Sequence, residues 1–495
     1  MTHHANQPGQ APGSEIRPGT QPLVDMVIKG KGMTAQLAAL ALTHAGWSVA
    51  MDPQADTARL PDEGTSEEQA FQSVLALGPS TVLFLENLGV KLPERQAVTA
   101  MWLDDAPRSR PAYILAADAS EDTSPDTSPD MSSGTGSDTG SDMSPDMSSD
   151  MSEDMQKLDP AILDMRPGSP SNVLQDKAPL AHIVCRRALA EAIAHAFEPV
   201  ALSQTSPFFD EQVTDLNTQH FGIEHFSIED FAIRDLDGKD KSAASLRAAR
   251  IIDCRPPSAP VFASLSGDYE ADALICRLRF SQPHEGDARQ IFLSSGPLAL
   301  LPLPDPHDRA LIWSLPRRRA QAMRSVASDL FLASLSVVLN DYAPCGTLEE
   351  AGPRQTQALA YYLADVFADG QLIRLGDAAH RIHPMAGQGF NLNCRDIAGL
   401  VEALTVSRRT GLGAGDPGLA ERYSCARRAD AATLFGLTHS LYHLAPRATG
   451  LFSMAGRLSS YVPALNDFLI QQAQSGGHPA PRLMRAGSQD QIAQI

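Results

Sequence analysis

Two glycine-rich corners carry residue types suited to holding a charged cofactor. The first is Gly30-x-Gly32-x-x-Ala35, with Asp52 twenty residues after Gly32. Gly30 permits a tight turn, and Gly32 lets a diphosphate approach the backbone. A small residue at Ala35 lets helix and strand pack closely. A helix starting there offers unpaired N–H groups and the positive end of its dipole to phosphates. Asp52, at the end of a second strand, can accept hydrogen bonds from a ribose. The other reading of this corner is a structural βαβ turn without a ligand. The second corner runs Gly376-Asp377-Ala378-Ala379-His380-Arg381-Ile382-His383-Pro384-Met385-Ala386-Gly387-Gln388-Gly389-Phe390-Asn391, with Asp396 further on. A strand delivers Asp377 to a sheet edge, where its carboxylate can hold a sugar-like hydroxyl. Pro384 stiffens the loop, and Gly387 and Gly389 clear side chains from the start of a new helix. With Gln388, Phe390 and Asn391 they form a helix N-terminus able to stabilise negative charge on a bound ring. An ordinary strand–loop–helix corner is the alternative. His380 and His383 form an i,i+3 pair with no third ligand, so no metal site is signalled. Both are expected to be structural or supporting, and proton transfer by either is the sharper alternative. No catalytic base is assigned.

The elements around these corners follow from local pattern. Val24–Ile28 reads as a buried strand, Lys29–Gly32 as a turn, Met33–Ala45 as a helix and Trp47–Met51 as a second strand. That is a βαβ unit on a parallel sheet. Leu180–Phe197 reads as a strand entering an amphipathic helix, and Phe221–Leu303 as mostly sheet. Thr356–Phe367 reads as a helix with Thr356 as a possible N-cap. Leu372–Leu375 reads as a strand leading to the second corner and a helix to about Leu404, and the chain beyond Tyr423 is helical.

The 495 residues suffice for two or three packed units. The net charge of −19 is uneven: between Asp118 and Lys157 lie eleven acids and one base. Aspartates recur there every fourth residue among Ser, Thr, Pro, Met and Gly, which are poor company for a helix. The block reads as a solvated, disordered insertion; a calcium site is the alternative, and the spacing lacks a calcium-loop pattern. No basic patch suggests nucleic-acid binding. Six scattered cysteines form no CxxC pair, which points to reduced thiols. Met1–Gln21 is polar and proline-rich, unlike a signal peptide, and no apolar run is long enough to span a bilayer. A cytoplasmic protein is expected, with peripheral contact at the inner membrane face left open.

Gly376 to Asp396 resembles the second FAD motif of the aromatic-ring flavin hydroxylases. Ala386-Gly387-Gln388-Gly389-Phe390-Asn391-Leu392 is similar to the ubiquinone-biosynthesis branch of that family. So are Gly296-Pro297-Leu298-Ala299-Leu300-Leu301-Pro302-Leu303, the following Leu311-Ile312-Trp313-Ser314 and the preceding His284-x-x-x-Ala288-x-x-x-Phe292. Leu180–Leu189, with Arg186 and Arg187, resembles the strand and helix after the first flavin-domain segment, and Arg187 joins the candidate cofactor residues. Tyr423, Arg427 or Arg428, and Asp430 fit the family's C-terminal helices. The resemblance implies an α/β aromatic hydroxylase fold. A Rossmann-like FAD-binding domain is interleaved with a β-sheet substrate domain and followed by a helical C-terminal region. The expected division is a tail at 1–21, FAD-binding segments at 22–117, 158–200, 246–261 and 356–410, and the acidic insertion at 118–157. Substrate-sheet segments fall at 201–245 and 262–355, C-terminal helices at 411–475 and a polar tail at 476–495. The implied cofactor is FAD, with NAD(P)H as co-substrate and no second nucleotide fold. The implied reaction is O₂-dependent hydroxylation of the ring of a polyprenyl phenol. The implied partners are that lipophilic phenol and a ubiquinone-biosynthesis complex.

Three places depart from the family pattern. Its Ala-Asp-Gly motif is replaced by Ile252-Asp253-Cys254-Arg255, with Pro256 and Pro257 following. Gln72–Leu77 lacks the arginine usual in the first long connection. Lys29 and Lys31 flank the glycines where small or apolar residues are usual, and Lys29 would need an exit from a buried strand. A degenerate, non-catalytic paralogue serving as an accessory subunit is therefore the second hypothesis. A flavin enzyme acting on an unrelated small aromatic is the third.

Overall fold

A computed structural model describes residues 23–52, 73–104, 112–115, 179–203, 247–256, 263–342, 345–444 and 481–485, with three two-residue strands between 212 and 241. The acidic insertion at 118–157 and the tails at 1–21 and 486–495 lie outside the described residues, as does nearly all of 201–245.

The chain begins with β1 (Leu23–Lys29), α1 (Met33–His44) and β2 (Val49–Asp52). There follow β3 (Val74–Leu77), α2 (Pro79–Asn87), β4 (Arg95–Val98), β5 (Ala100–Asp104), β6 (Ala112–Leu115), β7 (Ala181–Cys185) and α3 (Arg186–Ser203). The middle of the chain is β8 (Arg247–Asp253), β9 (Ala263–Phe280), β10 (Asp287–Leu293), β11 (Gly296–Pro302) and β12 (Asp308–Pro316). Next come α4 (Arg317–Ser325), α5 (Ser328–Tyr342), β13 (Leu348–Ala351) and β14 (Gln355–Ala364). The last part holds β15 (Ala368–Asp369), β16 (Leu372–Arg374), β17 (His380–Arg381), α6 (Gln388–Arg409) and α7 (Leu419–Leu444).

A first sheet has the order β15-β16-β8-β1-β2, and β16, β8, β1 and β2 run parallel. β1 is apolar on both faces because both are covered. Met26 and Ile28 join the main core, while Val27 packs with Ala50 and Ile251 on the other side. A small sheet, β3-β7-β4, flanks it. The large sheet runs β17-β14-β9-β12-β11-β10-β5-β6, with β13 also paired to β9. Its two faces alternate along β9. Leu274, Cys276 and Leu278 face a core closed by α4 and α5. Ala273 and Ile275 face a second cluster with Tyr269, Leu359 and Tyr442 of α7.

Two expectations are corrected here. Gln355–Ala364 is a strand, not a helix; β14 pairs with β9 on one side and β17 on the other. Its alanines and leucines favour a helix only weakly, and a two-sided ladder overrides that preference. The boundaries shift accordingly. β14 lies in the large sheet rather than in the FAD-binding segment 356–410. β5 and β6 extend the same sheet from within 22–117, through the parallel pairing of β5 with β10.

Candidate functional site: two helix starts above an aromatic wall

The first corner is built from backbone and small side chains. Gly30 has φ +122°, a conformation that side chains resist. Ala35 is fully buried, and a Cβ placed on Gly30 would lie 3.6 Å from the Ala35 Cβ. Gly32 is the N-cap of α1 and has no side-chain hydrogen bond; a Cβ there would meet nothing within 4 Å. The first-turn N–H groups of α1 have no intrahelical partner. They open beside free space, which suits a diphosphate. Asp52 closes β2, in register with Lys29. Lys29 is 4% exposed, and its register partner on the opposite side is Asp253 of β8. The buried lysine therefore sits in a row of strand ends that includes carboxylate residues.

The second corner starts where β16 ends. Asp377 is half-buried and lies 3.6 Å from Arg381. Pro384 is exposed. Gly387 is the N-cap of α6 with φ +63°, and a Cβ there would lie 2.7 Å from the Ala76 Cβ of β3. Gly389 faces open space. Asn391 uses its whole amide on backbone: Oδ1 accepts the Gly78 N–H at 3.0 Å, and Nδ2 donates to the Ala76 carbonyl at 2.9 Å. Phe390 is 7% exposed within the main core, and Gln388 is buried at the first turn. The side chains of Asn391 and Phe390 thus position the turn. Arg187 is exposed at the start of α3 and pairs with Glu191 at 2.8 Å.

Asn393 Nδ2 donates to Thr34 Oγ1 at 3.1 Å, tying the start of α6 to the start of α1. The two uncapped helix N-termini are thereby held to one another. Beneath the second corner lies an ionic network that sequence reasoning only half found. Asp396 is wholly buried; it accepts from His380 Nε2 at 2.6 Å and from Arg427 Nε at 2.9 Å. Arg427 and Arg395 both pair with Asp430, at 2.7 and 2.8 Å. Burial alone would raise the Asp396 pKa, but His380 and Arg427 outweigh it and hold the carboxyl below its ordinary value. Asp396 also reaches the Gly376 N–H at 3.4 Å, where the glycine loop begins. His380 is thus the buried donor that anchors Asp396 beneath the loop.

His383 takes the loop to the large sheet. The Met385 N–H donates to its Nδ1 at 3.2 Å, so the neutral ring carries its proton on Nε2, 3.3 Å from Ser314 Oγ of β12. Tyr269 meets His383 edge-on at 5.1 Å, and Tyr442 lies at 4.8 Å. Burial, then the neighbouring His439 and His443, push its pKa down to about 3. Met385 packs on Phe292, with Leu103, Leu441 and Tyr442 around them. The glycine loop therefore rests on an apolar, aromatic wall of the sheet. Cys254 stands in place of the family glycine. Burial, then Asp253, Asp377 and Asp396, drive its thiol pKa well up. Arg255 folds back onto Asp253, with Nε–Oδ1 at 2.8 Å and Nη2–Oδ2 at 2.9 Å. Its Cγ would lie 3.7 Å from a Cβ on Gly30. Among the described residues no cluster of metal-ligating side chains is present.

Residues 269–436 match the FAD binding domain family. The chain is 31% identical over 224 residues to ubiquinone hydroxylase UbiL of Rhodospirillum rubrum, covering 44% of this chain and 52% of that one. It is 27% identical over 213 residues to the human ubiquinone biosynthesis monooxygenase COQ6, covering 37% and 45%. The matches thus span about half the length of these relatives. Among solved structures, PqsL of Pseudomonas aeruginosa aligns with a TM-score of 0.53 at 16% identity, covering 87% of this chain and 99% of that one. The p-nitrophenol 4-monooxygenase PnpA of Pseudomonas putida aligns with a TM-score of 0.53 at 13% identity, covering 92% and 99%.

The fold is that of the FAD-dependent aromatic monooxygenases. By sequence, residues 269–436 carry a FAD binding domain, and parts of the chain are similar to ubiquinone-biosynthesis hydroxylases. The open, uncapped start of α1 and the side-chain-free Gly389 at the start of α6 offer the room and the unpaired N–H groups that an anionic cofactor such as FAD needs.

Proposed function

We propose that this chain is an FAD-dependent monooxygenase that hydroxylates the ring of a polyprenyl phenol intermediate in ubiquinone biosynthesis, with NAD(P)H and O₂ as co-substrates. The observation that carries the reading is the Thr34–Asn393 link, which holds two uncapped helix starts together above an aromatic wall. FAD bound there supplies the redox and oxygen chemistry. The protein's part is positioning. The amides of α1 would hold the diphosphate, and Asp52 at the end of β2 and Asp377 just past β16 would stand near its sugar-like hydroxyls. Gly387, Gln388 and Gly389 present the start of α6 to the ring. Met385, Phe292 and Tyr442 supply an apolar wall that orients an aromatic substrate and excludes water. Ser314 and His383 form a buried polar pair beside that wall, with the His383 ring 4.8 Å from Tyr442. A lipid substrate implies work at a membrane surface, so a cytoplasmic protein at the inner membrane face, in contact with other ubiquinone-biosynthesis proteins, is part of the proposal.

Arg255 supports a second reading. Its guanidinium is clamped on Asp253 beside Gly30, next to Cys254, which stands where the family carries glycine. A chain that keeps FAD but no longer accepts hydride from NAD(P)H would be an accessory subunit. The visible spectrum of the purified protein, with flavin quantified after denaturation, decides the first step. Near-stoichiometric FAD that is bleached by anaerobic NADPH, with a prenylated phenol hydroxylated on admitting air, is the expected result. FAD that stays oxidised supports the accessory subunit, and absence of FAD after soaking rejects the enzyme reading.

A further inference from the structure

The back of the large sheet carries a surface that the proposed reaction does not use. α4 and α5 close that face with Ala320, Phe331, Leu335 and Leu339. α5 is apolar on its outer side as well. Leu330 and Val337 are 57% and 66% exposed, and exposed Ala333 lies between them at the i+3 spacing that shares a face. A helix that is apolar on two sides has one face without a partner. The preceding helix supplies charge. Arg317–Ser325 holds four arginines and no acid. Arg317 is engaged by Asp268 and Asp272. Arg319 lies over the Trp313 ring. Arg318 and Arg324 are exposed, and neither has an ion-pair partner among the described residues. The carboxylate in the first turn of α5 is Asp329. Three exposed arginines against the two carboxylates of α5, Asp329 and Asp341, leave a local excess of positive charge on a chain whose net charge is −19.

We propose that α4 and α5 form a docking face for an anionic lipid bilayer, with Leu330 and Val337 entering the headgroup boundary and Arg318, Arg319 and Arg324 meeting lipid phosphates. A nucleic acid would match the arginines but not the apolar row, and an apolar protein partner would leave the arginines unanswered. Exposed basic and apolar residues on two consecutive helices fit an interface between water and acyl chains. No described helix is long and apolar enough to cross a membrane. The inference stands on this surface alone and does not need the proposed reaction.

The test is flotation of the full chain with phosphatidylcholine vesicles, with and without phosphatidylglycerol. The wild-type chain binds only the anionic vesicles, and salt weakens the binding. Each arginine near such a surface is worth roughly fivefold in partitioning. Arg318→Gln with Arg324→Gln therefore lowers binding about 30-fold, and Lys at both positions restores it. Leu330→Gln with Val337→Gln removes the part of the binding that survives high salt. All four positions are exposed, so unchanged thermal melting and unchanged flavin content serve as the controls for folding. Equal binding to both vesicle types, no binding to either, or variants that bind like the wild type overturns the proposal. So does a Leu330→Gln, Val337→Gln chain that changes only its self-association, because the face would then belong to a second copy.

Discussion

The two glycine corners do similar work by opposite means. The Gly30–Ala35 corner relies on what is missing: no Cβ at Gly30 or Gly32, no side-chain cap on α1, and only a methyl at Ala35. The Gly376–Asn391 corner relies on what is present. Asn391 bridges to β3, Asn393 bridges to α1, and Asp396 gathers His380 and Arg427 beneath the loop. A short parallel-sheet turn is held by its own strand and helix. A sixteen-residue loop has more freedom to lose, so it needs fixed partners from distant parts of the chain. Damage to the first corner should therefore appear mainly in cofactor affinity, and damage to the second in stability.

The sharpest break comes from Asp396→Ala. It leaves Arg427 buried with Asp430 alone, and His380 without its acceptor. Removing one partner of a buried ion pair costs on the order of 3–5 kcal/mol. Chemical denaturation should show a loss of that size, and a loss under about 1 kcal/mol would mean the network is not what holds the loop. Gly387→Ala follows. Its Cβ would lie 2.7 Å from the Ala76 Cβ at a φ of +63°, so backbone strain and overlap add up. The expected cost is about 1–3 kcal/mol with partial loss of flavin, read by melting and by bound FAD.

The same contrast decides what the sequence made legible. Gly30, Gly32, Ala35 and Asp52 lie within twenty-three residues, so spacing alone revealed the first corner. The glycines of the second corner were legible for the same reason. Its supports were not: Arg427 lies 31 residues from Asp396, and Asn391 reaches partners more than 300 residues away. The Arg427–Asp430 pair, at i,i+3 on a buried helical face, was the one local sign of the network. Asn391 was singled out as part of the motif at the start of α6, and only the fold shows its side-chain amide bonded to the backbone at Ala76 and Gly78. β14 was misread because Ala358, Leu359, Ala360 and Leu363 favour a helix, and the neighbours that make them a strand lie about 90 residues upstream and 20 downstream.

His383 sharpens the comparison through pH. Its folded pKa of about 3 lies below the usual 6.5 of the unfolded chain. The unfolded state therefore binds the extra proton first, and stability is full above about 6.5 and falls as pH drops towards 3. Tyr269, Tyr442, His439, His443 and Ser314 face the ring, and none of them is a carboxylate able to hold the charged form. The expected slope is about 1.4 kcal/mol per pH unit in that window from this one group. His383→Gln should reduce the slope by that amount in denaturation curves at successive pH values. An unchanged slope would show that the ring is not held neutral against the sheet.

Gly32→Ala has the smallest expected effect on the fold and tests the first corner directly. At φ −70°, with nothing within 4 Å of the new methyl, the folded chain accommodates alanine without strain. Melting should shift by less than an equivalent of about 0.5 kcal/mol. The methyl would occupy the space over the α1 amides, where a diphosphate must come within hydrogen-bonding distance. FAD affinity, followed by flavin fluorescence on titrating the apoprotein, should fall about tenfold or more, equivalent to about 1.4 kcal/mol. Intact affinity would place the diphosphate away from α1 and leave the second corner as the sole anchor of the cofactor. Lost stability together with lost affinity would show that the first corner, like the second, is held by packing that the open space over Gly32 conceals.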